Sequence, residues 1–344
     1  MTDETQSRVV HPAPTLPGSS SGGMSHRERL QAALKGLPVD RTPVSFWQHF
    51  PGRDHTADLL VAATVAFQRR VDLDLVKLMP TGMYSVVDYG VAVAPSDDDL
   101  GTTRYTSGPV HGPADWARLP AVSPERGVLA REVEVVRRVR DALGPDTPII
   151  QTIFSPFTMA AKLVGGTLQP AFLDDEATFR PALARLADDV IAFGRACLRN
   201  GADGFFFATQ LASGASGDLY ERYGVPYDLA VLEALRADAW AQVLHLHGPD
   251  PLFSLADRYP VDAVSWEDRE TTPSLADAYQ RTTRCLVGGV GRIDPLACGS
   301  AEAVAAQVRE AIAQTHGTRV IVAPGCVVPM SAPERNMQAL RDAV

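Results

Sequence analysis

The sequence predicts an α/β fold: a single (β/α)8 TIM barrel with a long excursion after its second strand. Three observations predict it. Eight short apolar runs are separated by segments with helical periodicity, the rhythm that parallel strands with crossover helices require. A doubly wound sheet is the rival, but it carries a Gly-rich phosphate loop after its first strand, and only Gly52 follows the first run here. The residues just beyond each run are polar, and a barrel keeps its working residues at the C-terminal ends of its strands.

The elements follow in order. Ser25 caps a first helix with an apolar stripe of Leu30, Ala33 and Leu34 before Gly36. Residues 43–50 read as the first strand, closed by Pro51 and Gly52, and Asp54 as the cap of a helix over 55–70. Residues 73–79 are the second strand. Residues 81–120 lack helical periodicity and are rich in Gly and Pro, so they form the excursion, with short strands around 90–94. Ser123 and Pro124 open a helix that runs to Leu143. Residues 148–154 are the third strand, 176–199 a long helix, 202–208 the fourth strand and 226–238 a further helix. The fifth to eighth strands fall at 240–247, 261–266, 285–290 and 319–323, with a helix over 300–315 between the last two. Residues 331–334 cap a final helix.

Length and composition bound the rest. The 344 residues suit one large barrel or two smaller domains, and residues 25–344 are assigned here to one barrel domain. Residues 1–24 are rich in Pro, Ser and Gly and read as a disordered tail rather than a secretory signal. A formal charge of -9 with no polybasic run excludes an electrostatic footprint for nucleic acid or an anionic membrane surface. No apolar run approaches the roughly 18 residues needed to span a bilayer. Four cysteines without paired spacing predict a reducing, cytoplasmic setting.

The strand ends carry the chemistry. In order they offer His49, Lys77, Thr81, Ser155, Thr209, Gln210, His245, His247, Glu267, Asp268, Arg269, Arg292 and Cys326. His245 and His247 are two apart on one strand, so their rings leave the same face about 7 Å apart along the chain. Cys326 ends another strand. The expectation is that these three converge on one metal, with Glu267 as a candidate fourth ligand. Cys197 and Cys285 read as inert core thiols. Tyr84 and Gln210 are candidate substrate contacts, and Arg269 is suited to grip a carboxylate bidentately.

At this point the chain resembles the uroporphyrinogen decarboxylase superfamily over residues 27–344. The resemblance rests on Arg27-Glu-Arg-Leu-Gln-Ala-Ala-Leu-Lys-Gly36 with Pro38-Val-Asp-Arg-Thr-Pro-Val44, on Phe154-Ser-Pro-Phe-Thr158, and on Ala323-Pro-Gly-Cys-Val-Val328 with Pro333-Glu-Arg-Asn336. The family's decarboxylases grip acidic side chains with arginines and pyrrole nitrogens with an aspartate. Here Arg53 matches one arginine, His49 stands at the other, Thr81 stands at the aspartate, Lys162 replaces a tyrosine and Cys326 a histidine. Buried pyrrole donors without an acceptor would cost about 1–3 kcal/mol each.

A second branch resembles the site more closely: zinc methyltransferases that move a methyl group from a corrinoid to a thiol. Their zinc sits on a His-x-Cys pair after the fifth strand and a cysteine after the eighth; His245-Leu246-His247 and Cys326 stand there. The resemblance therefore implies zinc, a methylcorrinoid donor on a separate corrinoid protein, a thiol acceptor oriented by His49 or Arg53, and a homodimer. Two alternatives stay open: a decarboxylase or related lyase acting on a carboxylated small molecule or tetrapyrrole through Arg53 and Arg269, and a non-catalytic corrinoid or tetrapyrrole binder.

Overall fold

The computed structural model describes residues 23–213 and 217–344. The tail expected over residues 1–24 lies outside the described residues save for its last two. Helix α1 (His26–Leu34) begins with a capping box: the Ser25 hydroxyl accepts from the Glu28 N–H, and the Glu28 carboxylate accepts from the Ser25 N–H at 2.9 Å. Helix α2 (Ala57–Val71) is capped by the Thr56 hydroxyl rather than by the expected Asp54, because Thr56 directly precedes the first turn while Asp54 is buried upstream.

Strand β1 (Val76–Leu78) leads into the excursion. It holds a short helix, α3 (Tyr84–Val87), and an antiparallel hairpin, β2 (Ala92–Pro95) and β3 (Thr103–Ser107), with no buried position in either strand. Helix α4 (Gly127–Leu143) starts later than Ser123 because its cap comes from the excursion: the Asp88 carboxylate accepts from the Val128 and Leu129 N–H groups at 2.9 and 3.0 Å. Then come β4 (Ile149–Phe154), α5 (Pro156–Leu163), α6 (Glu176–Arg199), β5 (Gly204–Thr209), α7 (Gly217–Tyr223) and α8 (Val225–Leu235). They are followed by β6 (Ala241–Leu246), α9 (Leu255–Arg258), β7 (Ala263–Trp266) and α10 (Leu275–Arg281). The chain ends with β8 (Cys285–Val290), α11 (Ala301–Gln314), β9 (Val320–Pro324) and α12 (Glu334–Asp342).

Seven strands form one parallel sheet in the order β1-β4-β5-β6-β7-β8-β9. Every residue of β4, β5, β6, β7, β8 and β9 is buried, as expected of a parallel sheet covered on both faces. The expected first strand is not a full strand. Val44 makes a single parallel bridge to Val322 of β9, with the Ser45 N–H on Val322 O at 3.0 Å and the Val322 N–H on Pro43 O at 2.9 Å. The next donor in that register belongs to Pro324, which has no N–H, so the ladder stops. On its other side the same segment accepts from the Asp74 N–H through Val44 O at 3.0 Å, at the entrance to β1. The result is a curled seven-stranded sheet whose two edges are joined through residues 43–45.

Buried Asp74 pins that junction. Its carboxylate accepts from Arg29 at 2.7 Å, from Arg41 at 2.6 and 2.9 Å, and from the Val44 N–H at 2.9 Å, with His26 Nδ1 also at 2.9 Å. At the other terminus, buried Asn336 of α12 donates to Leu296 O at 3.0 Å and Gly299 O at 2.9 Å, which fixes the loop after β8 that carries Arg292. Among the described residues, no helix is long and apolar enough to cross a membrane.

Candidate metal and ligand site

Three donor atoms meet at the C-terminal ends of β6 and β9. His245 is on β6, His247 lies just beyond it, and Cys326 follows β9 by two residues. The Cys326 Sγ lies 3.8 Å from His245 Nε2 and 3.6 Å from His247 Nδ1, and all three donors fall within 4.8 Å of one another. Both histidines are held from behind. His245 Nδ1 is 3.3 Å from Ser265 Oγ on β7, and its ring stacks on Phe206 of β5 at 4.8 Å between centroids. The Thr209 hydroxyl donates to His245 O at 2.9 Å, and the His247 N–H donates to Thr209 O at 3.0 Å. These contacts carry the strand pairing past the end of β6 and aim both rings at the β9 side.

Burial sets the protonation states. It holds His245 well below the ordinary imidazole range, with smaller contributions from His247 and Lys77, and it lowers His247 as well. Both rings are therefore neutral, with a lone pair available to a metal. Burial pushes the Cys326 thiol up to about 11, with Glu267 adding to the rise; a bound cation reverses that preference by stabilising the thiolate.

The donors open into a cavity of about 430 Å3. His49, Lys77, Lys162, Gln210 and Arg292 line it, with Trp47, Met79, Phe154 and Phe206 among its apolar walls. His49 is buried, its Nδ1 has no hydrogen-bond partner, and desolvation followed by repulsion from Lys77 lowers it to about 4.

Of the residues singled out from sequence, the fold brings His245, His247, Cys326, His49, Lys77, Thr81, Gln210 and Arg292 of the strand ends, and Lys162, to this one cavity. Glu267 stays outside the three-donor cluster: its carboxylate pairs with Arg292 Nε at 3.1 Å as an ion contact without aligned hydrogen-bond geometry. Arg53 is exposed and lines a separate surface hollow with Arg70 and Met330. Arg269 is turned to α11, donating to Gly289 O at 2.9 Å and pairing with Glu310 at 3.0 Å. Tyr84 is buried behind the wall and donates to Thr152 O at 2.5 Å. Cys197 and Cys285 are buried, while Cys298 is exposed. Sequence reasoning placed Lys77 at a strand end and Lys162 at a family tyrosine position but gave neither a ligand; for Lys77 the signal was a cation inside the apolar run Leu73-Asp-Leu-Val-Lys-Leu-Met79.

A parallel α/β chain with a His–His–Cys donor set in a strand-end cavity defines a class of enzyme-like scaffold with a metal-competent pocket. This chain belongs to the uroporphyrinogen decarboxylase (URO-D) family, whose pattern matches residues 25–344. It is 23% identical over 337 residues to the methylcobamide:CoM methyltransferase MtbA of Methanosarcina acetivorans, covering 91% of this chain and 96% of that protein. It is also 23% identical over 249 residues to the uroporphyrinogen decarboxylase of Prochlorococcus marinus, covering 68% of each. Its fold matches a methyltransferase from Methanosarcina mazei with a TM-score of 0.81 at 24% identity, covering 93% of this chain and 98% of that one.

Proposed function

We propose that the chain is a zinc-dependent methyltransferase that moves a methyl group from a methylcorrinoid, carried by a separate protein, to a thiol. The observation that carries this reading is the convergence of His245, His247 and Cys326 on one point facing a large cavity. A tetrahedral zinc with bonds of about 2.0–2.1 Å to nitrogen and about 2.3 Å to sulfur has ligand–ligand edges of about 3.4–3.6 Å. The Sγ–N distances of 3.6 and 3.8 Å lie close to those edges, and all three donors fall within 4.8 Å of one another, so binding would draw the two rings together. Three protein donors leave one position for a ligand from the cavity, as catalytic sites do. A zinc ion held there would supply the stabilisation that turns an entering thiol into its nucleophilic thiolate.

The chain's own residues prepare that reaction. Ser265 and Phe206 fix the His245 ring, and Thr209 fixes the turn that carries His247. The apolar walls keep bulk water from the acceptor sulfur. Neutral His49, which lines the cavity, is proposed to orient the acceptor without adding a competing positive charge. The names of the methylcobamide:CoM methyltransferase relatives support the donor and acceptor classes. We further propose that residues 43–45 complete an eight-position barrel, which holds the β6 and β9 ends at a fixed separation. The arginines expected for the decarboxylase reading, Arg53 and Arg269, do not line the cavity, whose basic residues are instead Lys77, Lys162 and Arg292.

Metal content of the purified full-length chain tests the proposal, followed by methyl transfer from methylcobalamin to a panel of thiols. About one zinc per chain, lost in His245→Ala and in Cys326→Ala together with thiol methylation, is the expected result. A protein that stays metal-free after zinc is added back would overturn it.

A further inference from the structure

The cavity holds two cations that the metal site does not explain. Lys77 and Lys162 both line it, and each is only 7% exposed. Among the described residues no Asp or Glu lines this cavity, and neither lysine forms an ion pair. Lys77 Nζ touches the Met79 sulfur at 2.7 Å, a weak acceptor, and lies 4.5 and 5.2 Å from the ring centroids of Phe206 and Trp47. Lys162 donates one hydrogen bond, to Gly82 O at 2.9 Å, and lies 4.3 Å from the Phe154 ring. An ammonium has three donors, so both leave donors unused. Arg292 differs, because Glu267 and Glu270 meet it at 3.1 and 3.4 Å.

A buried cation without a counter-charge is unfavourable unless something supplies the missing anion. The aromatic faces offset part of that, since ring quadrupoles attract an ammonium. They do not use its remaining N–H groups. Desolvation holds Lys77 down to about 7, against an opposing pull from Cys326, and Lys162 to about 8, and an anion beside either would favour the charged form. The cavity, at about 430 Å3, falls in the size range of small-molecule sites and has room for an apolar body beside an acid group. Its walls between the lysines and the donors are aromatic.

We propose that this cavity binds an organic acid with an apolar body, its acid group held by Lys77 and Lys162 and its body packed against Trp47, Phe154 and Phe206. On the methyltransferase reading, on which this part rests, that acid is the thiol acceptor. The acid site itself rests on the lysines and not on a metal.

The test is calorimetric titration of the full-length protein with 4-phenylbutanoate, with 3-phenylpropane-1-sulfonate, and with 4-phenylbutanol, which keeps the body and lacks the charge. Each titration is repeated after chelation and with Lys77→Met and Lys162→Met. The expected result is acid binding at least tenfold tighter than alcohol binding, weakened at least tenfold by each substitution and unchanged by chelation. Carboxylate and sulfonate binding together point to a general oxyanion site, and one without the other narrows the acid class. The alcohol binding as tightly as the acids would overturn the proposal, with no variant needed. So would acid binding that both variants retain, or that chelation abolishes, since the acid would then sit on a metal. Acid binding without zinc in the protein would leave this site standing and remove only the methyltransferase reading.

Discussion

Ser265 shows how much of a candidate metal site lies one residue behind its donor side chains. Its hydroxyl is the hydrogen-bonding partner of His245 Nδ1 at 3.3 Å, and it is fully buried on β7. Removing such a partner loosens the ring and lowers the basicity of the ligating nitrogen, typically weakening metal binding about 10–100-fold. Ser265→Ala is therefore expected to reduce zinc affinity about tenfold in competition with a chromophoric chelator, while the protein melts near the parent temperature. Unchanged affinity would mean that stacking on Phe206 alone orients the ring. At this scale the convergence of the three donor side chains was legible, and of their supports only Thr209 stood out, as a strand-end residue. His245 and His247 stood out because a strand alternates its faces, and Cys326 because it ends another apolar run. Ser265, Phe206 and Thr209 lie on neighbouring strands, and only the parallel register of β5, β6 and β7 brings them there. Lys77 and Lys162 line one cavity from β1 and α5, and no local spacing joins them.

Elements were legible where their signal is local. Strand β8 falls at the expected 285–290 and helix α6 at the expected 176–199, because burial on both faces or a long apolar stripe is written into the run itself. Boundaries set by distant residues were not legible: Asp88 caps α4 from the excursion, and Pro324 of β9 ends the ladder with residues 43–45. The approach of β9 to β7 is another such boundary. A Cβ on Gly325 would lie 2.4 Å from Glu267 Cα and 2.7 Å from Trp266 O, both backbone atoms that cannot swing aside. Gly325→Ala is expected to push the end of β9 away from β7, carry Cys326 off the two histidines, and destabilise by about 1–3 kcal/mol. Gly82→Ala is the control, since a Cβ there meets nothing within 4 Å. Zinc content measured on both variants should fall in the first and hold in the second. A Gly325→Ala protein that retains full zinc would show that the strand ends relax independently of the metal ligands.

Across the whole molecule, buried ionisable groups pull stability in opposite directions with pH. Asp74, held well below the usual carboxylate range by hydrogen bonds from His26 and Arg41 that outweigh its burial, contributes stability above pH of about 4 that is lost in stronger acid. Buried His49, lowered to about 4, likewise favours the fold above its unfolded value of about 6.5 and opposes it below. Asp228 acts in the other sense. It is fully buried, and desolvation raises it to about 7 even though Tyr220, Ser155 and Tyr259 lower it. A raised acid favours the folded state below its unfolded pKa of about 4, and that contribution is lost as pH climbs through the folded value. Because these terms overlap, the pH profile of the parent protein is a sum from which no single group can be read, whereas the difference between parent and Asp228→Asn isolates one. The amide oxygen can still accept from Tyr220 and Tyr259, whose hydroxyls lie 2.5 and 2.8 Å from Asp228 Oδ2. The amide carries no charge at any pH. Asp228→Asn is thus expected to gain stability relative to the parent as pH rises from about 4 to about 8, by an amount on the order of a few kcal/mol, read as the difference in urea unfolding free energy at each pH. A difference that stays flat over that range would mean Asp228 is already ionised at the low end, its two tyrosine donors outweighing its burial.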